Sequence, residues 1–246
     1  MLFNLFKKND EARPIFAPLG TDMHCHLIPG VDDGSKCMEE TLFCLRTLQS
    51  VGYRKVIITP HFQYPRFTND EDDIVQRYAE VCKAATDAGI DIELGGIGGE
   101  YRIDNGFRAR LDKPRFLTLN DKYILVELSL HHQMAEADDL LFELQMGGKD
   151  IIMAHPERYP YLNIDGPRME MLLNQGVLMQ VNILSLGGFY GDEARRRAFA
   201  MIERGWVSFL GSDTHNTLYC QALRDLSHSH KIARIVEKHP FLNNTL

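Results

Sequence analysis

The segment Val56-Ile-Ile-Thr-Pro-His61 runs four β-branched residues into a breaker and then an ionisable ring. A short apolar run closed by proline reads as a buried strand, and the histidine stands where that strand stops. The same pattern recurs in Tyr123-Ile-Leu-Val-Glu127, Ile151-Ile-Met-Ala-His155 and Val207-Ser-Phe-Leu-Gly-Ser-Asp-Thr-His215. Glu100 closes Gly95-Gly-Ile-Gly-Gly-Glu100. In Asp22-Met-His-Cys-His26 a period of two puts Asp22, His24 and His26 on one face, with Cys25 opposite. All but one of about seven strand-like segments therefore deliver His, Asp or Glu near the C-terminal end, the exception offering only Asn182.

The strand-like runs are Met23–Leu27, Val56–Thr59, Ile90–Leu94 continuing toward Glu100, Tyr123–Leu128, Ile151–Ala154, Leu178–Leu184 and Val207–Leu210. Helical periodicity fills the intervals. Ile74, Tyr78, Val81, Cys82 and Ala85 paint one stripe, and Glu39–Ser50 turns Leu42, Leu45 and Leu48 inward. Further helices are expected at 135–146, 167–175, 193–204 and 219–237. Glycines 52, 89, 147, 176 and 205 follow five of these helices, fitting the left-handed position that closes a helix. Alternating strands and helices imply parallel strands joined by right-handed crossovers. Closing them into a (β/α) barrel brings every strand's C-terminal end to one face, so ligands far apart in sequence meet there. The expected fold is a distorted, TIM-like α/β barrel of about seven parallel strands in a single domain.

Composition narrows the function. The 246 residues are 44% hydrophobic and 25% charged, a globular balance, and the net charge of −7 argues against a broad nucleic-acid-binding face. No apolar run approaches the ~18 residues of a membrane helix, and Met1–Lys8 lacks a signal-peptide core. Five cysteines without a Cys-x-x-Cys pair read as free thiols of a cytoplasmic protein. None has arginine six residues later, which removes a phosphocysteine mechanism. Gly147-Gly-Lys-Asp150 is no P-loop, and Gly95–Gly99 lacks a dinucleotide fingerprint.

Buried strands seldom carry ionisable residues without partners, so the joint pattern points to metal. Imidazole with carboxylate suits Mn, Fe or Zn. An aspartate of the Val31-Asp-Asp-Gly34 loop, Asp33 or alternatively Asp32, joins His24, His26, His61, Glu100, Glu127, His155, Asp213 and His215. Such a set can hold three divalent ions if one carboxylate bridges. Those ions would outweigh the carboxylates, attract a phosphate dianion and acidify a bound water.

Together, Asp22-Met-His-Cys-His26, Val31-Asp-Asp-Gly34, Thr59-Pro-His61, Gly99-Glu100, Val126-Glu-Leu-Ser129, Ala154-His-Pro-Glu-Arg158 and Gly211-Ser-Asp-Thr-His215 resemble the polymerase and histidinol phosphatase (PHP) superfamily. They are most similar to the bacterial protein-tyrosine phosphatases encoded with capsule and exopolysaccharide genes. The resemblance implies an N-terminal extension, residues 1–20, before a barrel domain, residues 21–246. It also implies a trinuclear, usually manganese-dependent site, with Fe, Zn or Mg as alternatives. His24, His26, Glu100 and Asp213 would hold the first ion. Glu100 would bridge to a second, completed by Glu127 and His155, and Asp33, His61 and His215 would bind the third. Arg158 matches the family's phosphate-binding arginine.

The implied activity is hydrolysis of phosphotyrosine by metal-activated hydroxide. The implied partner is the tail of a membrane tyrosine autokinase of polysaccharide export, with no nucleic acid and no membrane insertion. Histidinol-phosphate hydrolysis and a non-catalytic metal-binding scaffold are the alternatives. Two local readings accompany this. Phe62, Tyr64 and Arg66, after a ligand strand, could flank a phosphotyrosine ring. The family's further basic residue after the last histidine has no counterpart in Asn216-Thr-Leu-Tyr-Cys220. The Leu2–Phe6 patch has two readings, contact with a neighbouring subunit of a homo-oligomer or simple disorder.

Overall fold

A computed structural model describes residues 11–112 and 115–246; the first half of the N-terminal extension, the Leu2–Phe6 patch included, lies outside them. The strands are β1 (Thr21–Asp22), β2 (Lys55–Ile58), β3 (His61–Phe62), β4 (Glu93–Ile97), β5 (Glu100–Arg102), β6 (Tyr123–Glu127), β7 (Asp150–Ala154), β8 (Leu178–Asn182) and β9 (Val207–Gly211). β2 and β3 are one path interrupted at Thr59-Pro60, and β4 and β5 one path interrupted at Gly98-Gly99. The ladder persists through both breaks, since Gly98 N donates to Ile58 O (2.8 Å) and Glu100 N to Pro60 O (3.0 Å). All strand pairs are parallel, in the order β1, β2/β3, β4/β5, β6, β7, β8, β9. The barrel closes above β1 and β9, where Asp213 N donates to His24 O (2.7 Å) and His26 N to Thr214 O (2.9 Å).

Strand alternation divides the core in two. Ile57, Leu125, Ile152, Ala154 and Phe209 point into the barrel and pack with Met23, Leu119, Tyr123 and Leu246. Their neighbours Val56, Ile58, Ile124, Val126, Ile151 and Met153 point outward beneath the helices. Continuing the inward parity up each strand delivers His61, Glu127 and Asp213 to the mouth.

The helices are α1 (Met38–Ser50), α2 (Glu71–Asp87), α3 (Phe107–Leu111), α4 (Ala137–Met146), α5 (Pro167–Asn174), α6 (Ile183–Leu186), α7 (Asp192–Glu203), α8 (Thr217–Leu226) and α9 (His230–Lys238). Four expectations change. The run Leu178–Leu184 is strand only to Asn182, whose N–H is taken by Glu157 Oε1 (2.9 Å), and the chain then turns into α6. The single helix over 219–237 is two, because Ser227 and Ser229 close α8 and cap α9. Met23–Leu27 is a seam rather than a strand beyond Asp22, with Cys25 bridging to Thr214. Positive φ marks Gly52, Gly89, Gly176 and Gly205 as expected, but after α4 it falls on Gly148 and not Gly147. No described helix is long and apolar enough to cross a membrane.

Below the mouth β1 and β9 do not pair with each other. Asn243, from the C-terminal turn, fills the gap: its Nδ2 donates to Thr21 O (2.9 Å) and Leu210 O (2.7 Å), and its Oδ1 accepts from Leu210 N (3.1 Å). The side chain is fully buried. Replacing Asn243 with alanine leaves those backbone groups without partners and should cost ~2–4 kcal/mol. A fall in Tm of roughly 5–15 °C is expected. An unchanged melting curve would mean that the seam closes without it.

Candidate metal centre

Four buried donor atoms converge at the centre of the mouth. His24 Nε2 and His26 Nε2 lie 3.2 Å apart. Glu100 Oε2 is 3.3 Å from each, and Asp213 Oδ1 is 3.4 Å from His24 and 3.2 Å from His26. Neighbouring ligands bound at about 2.0–2.1 Å stand ~3.3–3.4 Å apart in a tetrahedral site, so His24, His26 and Asp213 fit one cation, with Glu100 Oε2 at the same spacing from both imidazoles. Glu100 turns its other oxygen away, Oε1 lying 3.1 Å from His155 Nε2, which is 4.0 Å from Glu127 Oε2. On the far side, Asp33 Oδ1 is 3.4 Å from His61 Nε2 and 3.6 Å from His215 Nε2. His61 Nδ1 meanwhile reaches Glu100 Oε2 (3.1 Å) and Glu127 Oε1 (3.2 Å), linking the outer groups to the centre.

Thus all nine residues named from the sequence fall in one cluster. Glu100 Oε2, His61 Nδ1 and Asp33 Oδ1 are buried there without hydrogen-bond partners. Orphaned polar atoms of this kind are costly unless a cation satisfies them, so the residues fit divalent metal. The backbone is bent to serve the cluster. His155 and Asp213 both adopt positive φ, 34° and 53°, uncommon for residues with a side chain and concentrated at functional sites.

A second layer fixes the rings. His24 Nδ1 donates to Gln180 Oε1 (2.9 Å), His26 Nδ1 to Asp32 Oδ2 (3.0 Å) and His215 Nδ1 to Asp213 O (2.8 Å). Each leaves Nε2 with its lone pair toward the cluster. Asp32, which also accepts from His61 N (3.0 Å), therefore orients rings, while Asp33 faces the outer donors. Gln180 Nε2 donates to Asn182 Oδ1 (2.9 Å), and Asn182 Nδ2 to Asp213 Oδ2 (2.7 Å). Gly211 makes room for this chain, since a Cβ there would sit 2.8 Å from both Gln180 Nε2 and His24 Cβ. Asp22, 2.9 and 2.6 Å from Ser212 N and Oγ, pins the turn that carries Asp213. Burial pushes the Asp22 carboxyl up to about 6 against those bonds.

In the metal-free protein, protons balance the carboxylates. Burial disfavours a charged His24, yet Glu100 and Asp213 lift its pKa to about 9. Despite burial, His24 and His61 hold the Glu100 carboxyl well below its ordinary value, and His24 does the same for Asp213. A divalent ion must displace those protons. Calorimetric titration at pH 7 in buffers of different ionisation enthalpy should register proton release with metal uptake. The raised His24 stabilises the metal-free fold fully below its usual 6.5 and loses that contribution as pH rises through about 9. The metal-free protein should therefore lose Tm between pH 7 and 9.5, and the loaded protein should lose less.

Above the cluster opens a cavity of about 440 Å³ lined by Asp33, His61, Glu127, His155, Asp213 and His215, with Gln63, Arg66, Arg102, His131, Arg158 and Tyr219 among its walls. Arg158 Nη1 donates to Asp213 Oδ2 (2.9 Å), and its guanidinium lies 4.1 Å from the Tyr190 ring centroid. Arg66, largely exposed, lies 3.4 Å from Asp33 Oδ2. The other two residues of its loop do not reach the cavity. Phe62 is buried against Tyr101, 4.6 Å between ring centroids, and Tyr64 is exposed over a neighbouring groove. Phe62 follows His61 by one residue and strand alternation turns it away from the cavity, toward the neighbouring groove that Tyr64 also lines. Arg102 and Gln180 are not among the residues read from the sequence, and Asn182 is noted there only as the polar residue of its strand. Their signal was inward parity, two residues after Glu100 and two apart on β8.

A closed parallel barrel with a buried His/carboxylate cluster at its C-terminal mouth defines a barrel protein with a candidate metal centre. The chain belongs to the family described as "Capsular polysaccharide synthesis, CpsB/CapC", whose model matches residues 20–233. It is 30% identical over 201 residues to the tyrosine-protein phosphatase CpsB of Streptococcus pneumoniae, covering 79% of this chain and 82% of that one. It is 29% identical over 196 residues to the tyrosine-protein phosphatase YwqE of Bacillus subtilis, covering 79% and 77%. A crystal structure from a study of YwqE and CpsB, described as unique metal-dependent tyrosine phosphatases, superposes with a TM-score of 0.77 at 26% identity, covering 92% of this chain and 93% of that one.

Proposed function

We propose that this chain is a metal-dependent protein-tyrosine phosphatase. Its substrate would be a phosphotyrosine-bearing protein, the tail of a bacterial tyrosine autokinase of capsule or exopolysaccharide export. The observation that carries this reading is the convergence of His24, His26, Glu100 and Asp213 beneath a cavity walled by arginines. Three divalent ions, manganese first among them, fit the donor sets. Bound there, they would supply Lewis acidity and lower the pKa of water toward neutrality.

The chain's own residues do the rest. Arg158 is held by Asp213 with part of its fork left for phosphate oxygens, which suits a planar guanidinium. Gln180, Asp32 and the Asp213 carbonyl keep three imidazoles in the tautomer that presents Nε2. A water oxygen bonds to phosphorus as the bond to the phenolic oxygen breaks. The phenolate leaves with the electron pair and needs little protonation in the transition state. The thiols take no part, since no cysteine lines the cavity among the described residues. The encounter would take place in the cytoplasm, a reading supported by the unpaired cysteines among the described residues.

Phosphate release should be followed in parallel from a phosphotyrosyl peptide, a phosphoseryl peptide and histidinol phosphate. Preference for the phosphotyrosyl peptide supports the proposal. Preference for histidinol phosphate would keep the site and move the protein to small-molecule metabolism.

A further inference from the structure

Two arginines, not one, are anchored to the cluster. Arg102 leaves β5 two residues after Glu100 and donates from Nε to Glu127 Oε1 at 2.8 Å, as Arg158 donates to Asp213 from another side. Both side chains are mostly buried, 15% and 18% exposed, and both line the cavity above the donor atoms. In each, a single nitrogen makes the anchoring bond. Among the described residues, neither Nη group of Arg102 has a hydrogen-bond partner. A guanidinium fixed through Nε by one carboxylate keeps its outer pair of N–H groups as a fork for another anion.

The alternative duty of Arg102 is to neutralise Glu127, and Nε alone accomplishes that. A bond to Glu127 through the outer edge would have used the fork, so the observed edge-on contact leaves donors over. Arg66, the third arginine at the mouth, is 62% exposed and lies beside Asp33, so solvent screens it. Arg102 also walls the adjoining groove of about 450 Å³, and so stands where a substrate would pass from groove to cavity.

From this geometry we infer that Arg102 is a second phosphoryl-binding residue, closing on non-bridging oxygens of the substrate opposite Arg158. The inference rests on the phosphatase reading for its substrate but not for its probe, which is inorganic phosphate. On this account the basic group absent from Asn216–Cys220 has a functional counterpart on a different strand.

The test uses the metal-loaded full chain, with Arg102→Met, Arg102→Lys and Arg158→Met. It measures phosphate affinity by calorimetry, metal content by mass spectrometry, and turnover of a phosphotyrosyl peptide. Arg102→Lys keeps a cation beside Glu127 but not the fork. Both Arg102 variants are expected to retain the wild-type metal content and to bind phosphate about 10-fold more weakly, with kcat/KM down roughly 100-fold. Guanidine added to Arg102→Met should restore part of the loss. Unchanged phosphate affinity at full metal content would overturn the inference. So would metal loss in Arg102→Met with wild-type phosphate affinity in Arg102→Lys, which would make Arg102 only the positioner of Glu127. Arg102-dependent phosphate binding without phosphotyrosine turnover in the wild type would sink the proposed activity and leave this inference standing.

Discussion

Glu100→Gln is expected to lower kcat/KM by about 10⁴, or ~5.5 kcal/mol of transition-state stabilisation. Glu100 spans two donor sets through its two carboxylate oxygens. Oε2 meets His24, His26 and His61 within 3.3 Å, while Oε1 meets His155 at 3.1 Å. Glutamine preserves volume and one carbonyl oxygen but removes the charge and turns one oxygen into a donor facing imidazoles. The variant should bind at least about one fewer divalent ion per chain at equal free metal. Its fold should persist, since Glu100 is supported by β3 and β6 on both sides through backbone bonds. Wild-type turnover with a full metal complement would show that the two sets do not share this carboxylate.

Arg197→Ala should be the most destabilising change outside the cluster, ~3–4 kcal/mol, because it strands three carbonyls in the interior. Arg197 Nη1 donates to Tyr159 O (2.6 Å), and Nη2 to Pro156 O (3.2 Å) and to Leu162 O. Those acceptors belong to the loop that carries His155 and Arg158, so one buried guanidinium on α7 holds the site's loop from beneath. A Tm drop of roughly 8–15 °C is expected. Substitution of the exposed neighbour Arg196 serves as the control and should be near neutral. Equal effects at 196 and 197 would remove the loop-holding role. The signal was in the sequence: Arg197 continues the stripe Ala194, Ala198, Met201 and Ile202. A charged residue on an apolar stripe implies a buried partner, here backbone carbonyls.

The same contrast explains what the sequence conveyed and what it did not. Strand-end ionisable residues were legible because β alternation and barrel closure depend on short local patterns, as in Val56–His61 and Tyr123–Glu127. Interruptions were less so. The break between β2 and β3 falls at Thr59-Pro60, where proline cannot donate to a ladder, yet the strand resumes beyond it. The run Val181–Leu184 is apolar enough for strand or helix, and a tertiary bond from Glu157 to Asn182 decides where β8 stops. Asn243 carries no local signal at all, because its role exists only once β1 and β9 face each other with a gap between them. His155 lay within a clear motif, but its left-handed backbone, which turns the ring against strand parity into the mouth, was not readable.

The central claim is that this cluster performs phosphotyrosine hydrolysis through bound metal. The direct measurement is phosphate release from a phosphotyrosyl peptide by the native chain, by the chelator-stripped chain, and by the stripped chain given manganese, with metal content determined in each sample. The account expects turnover to vanish on stripping and to return with manganese in proportion to the metal bound. Turnover undiminished in protein shown to be free of metal would contradict it.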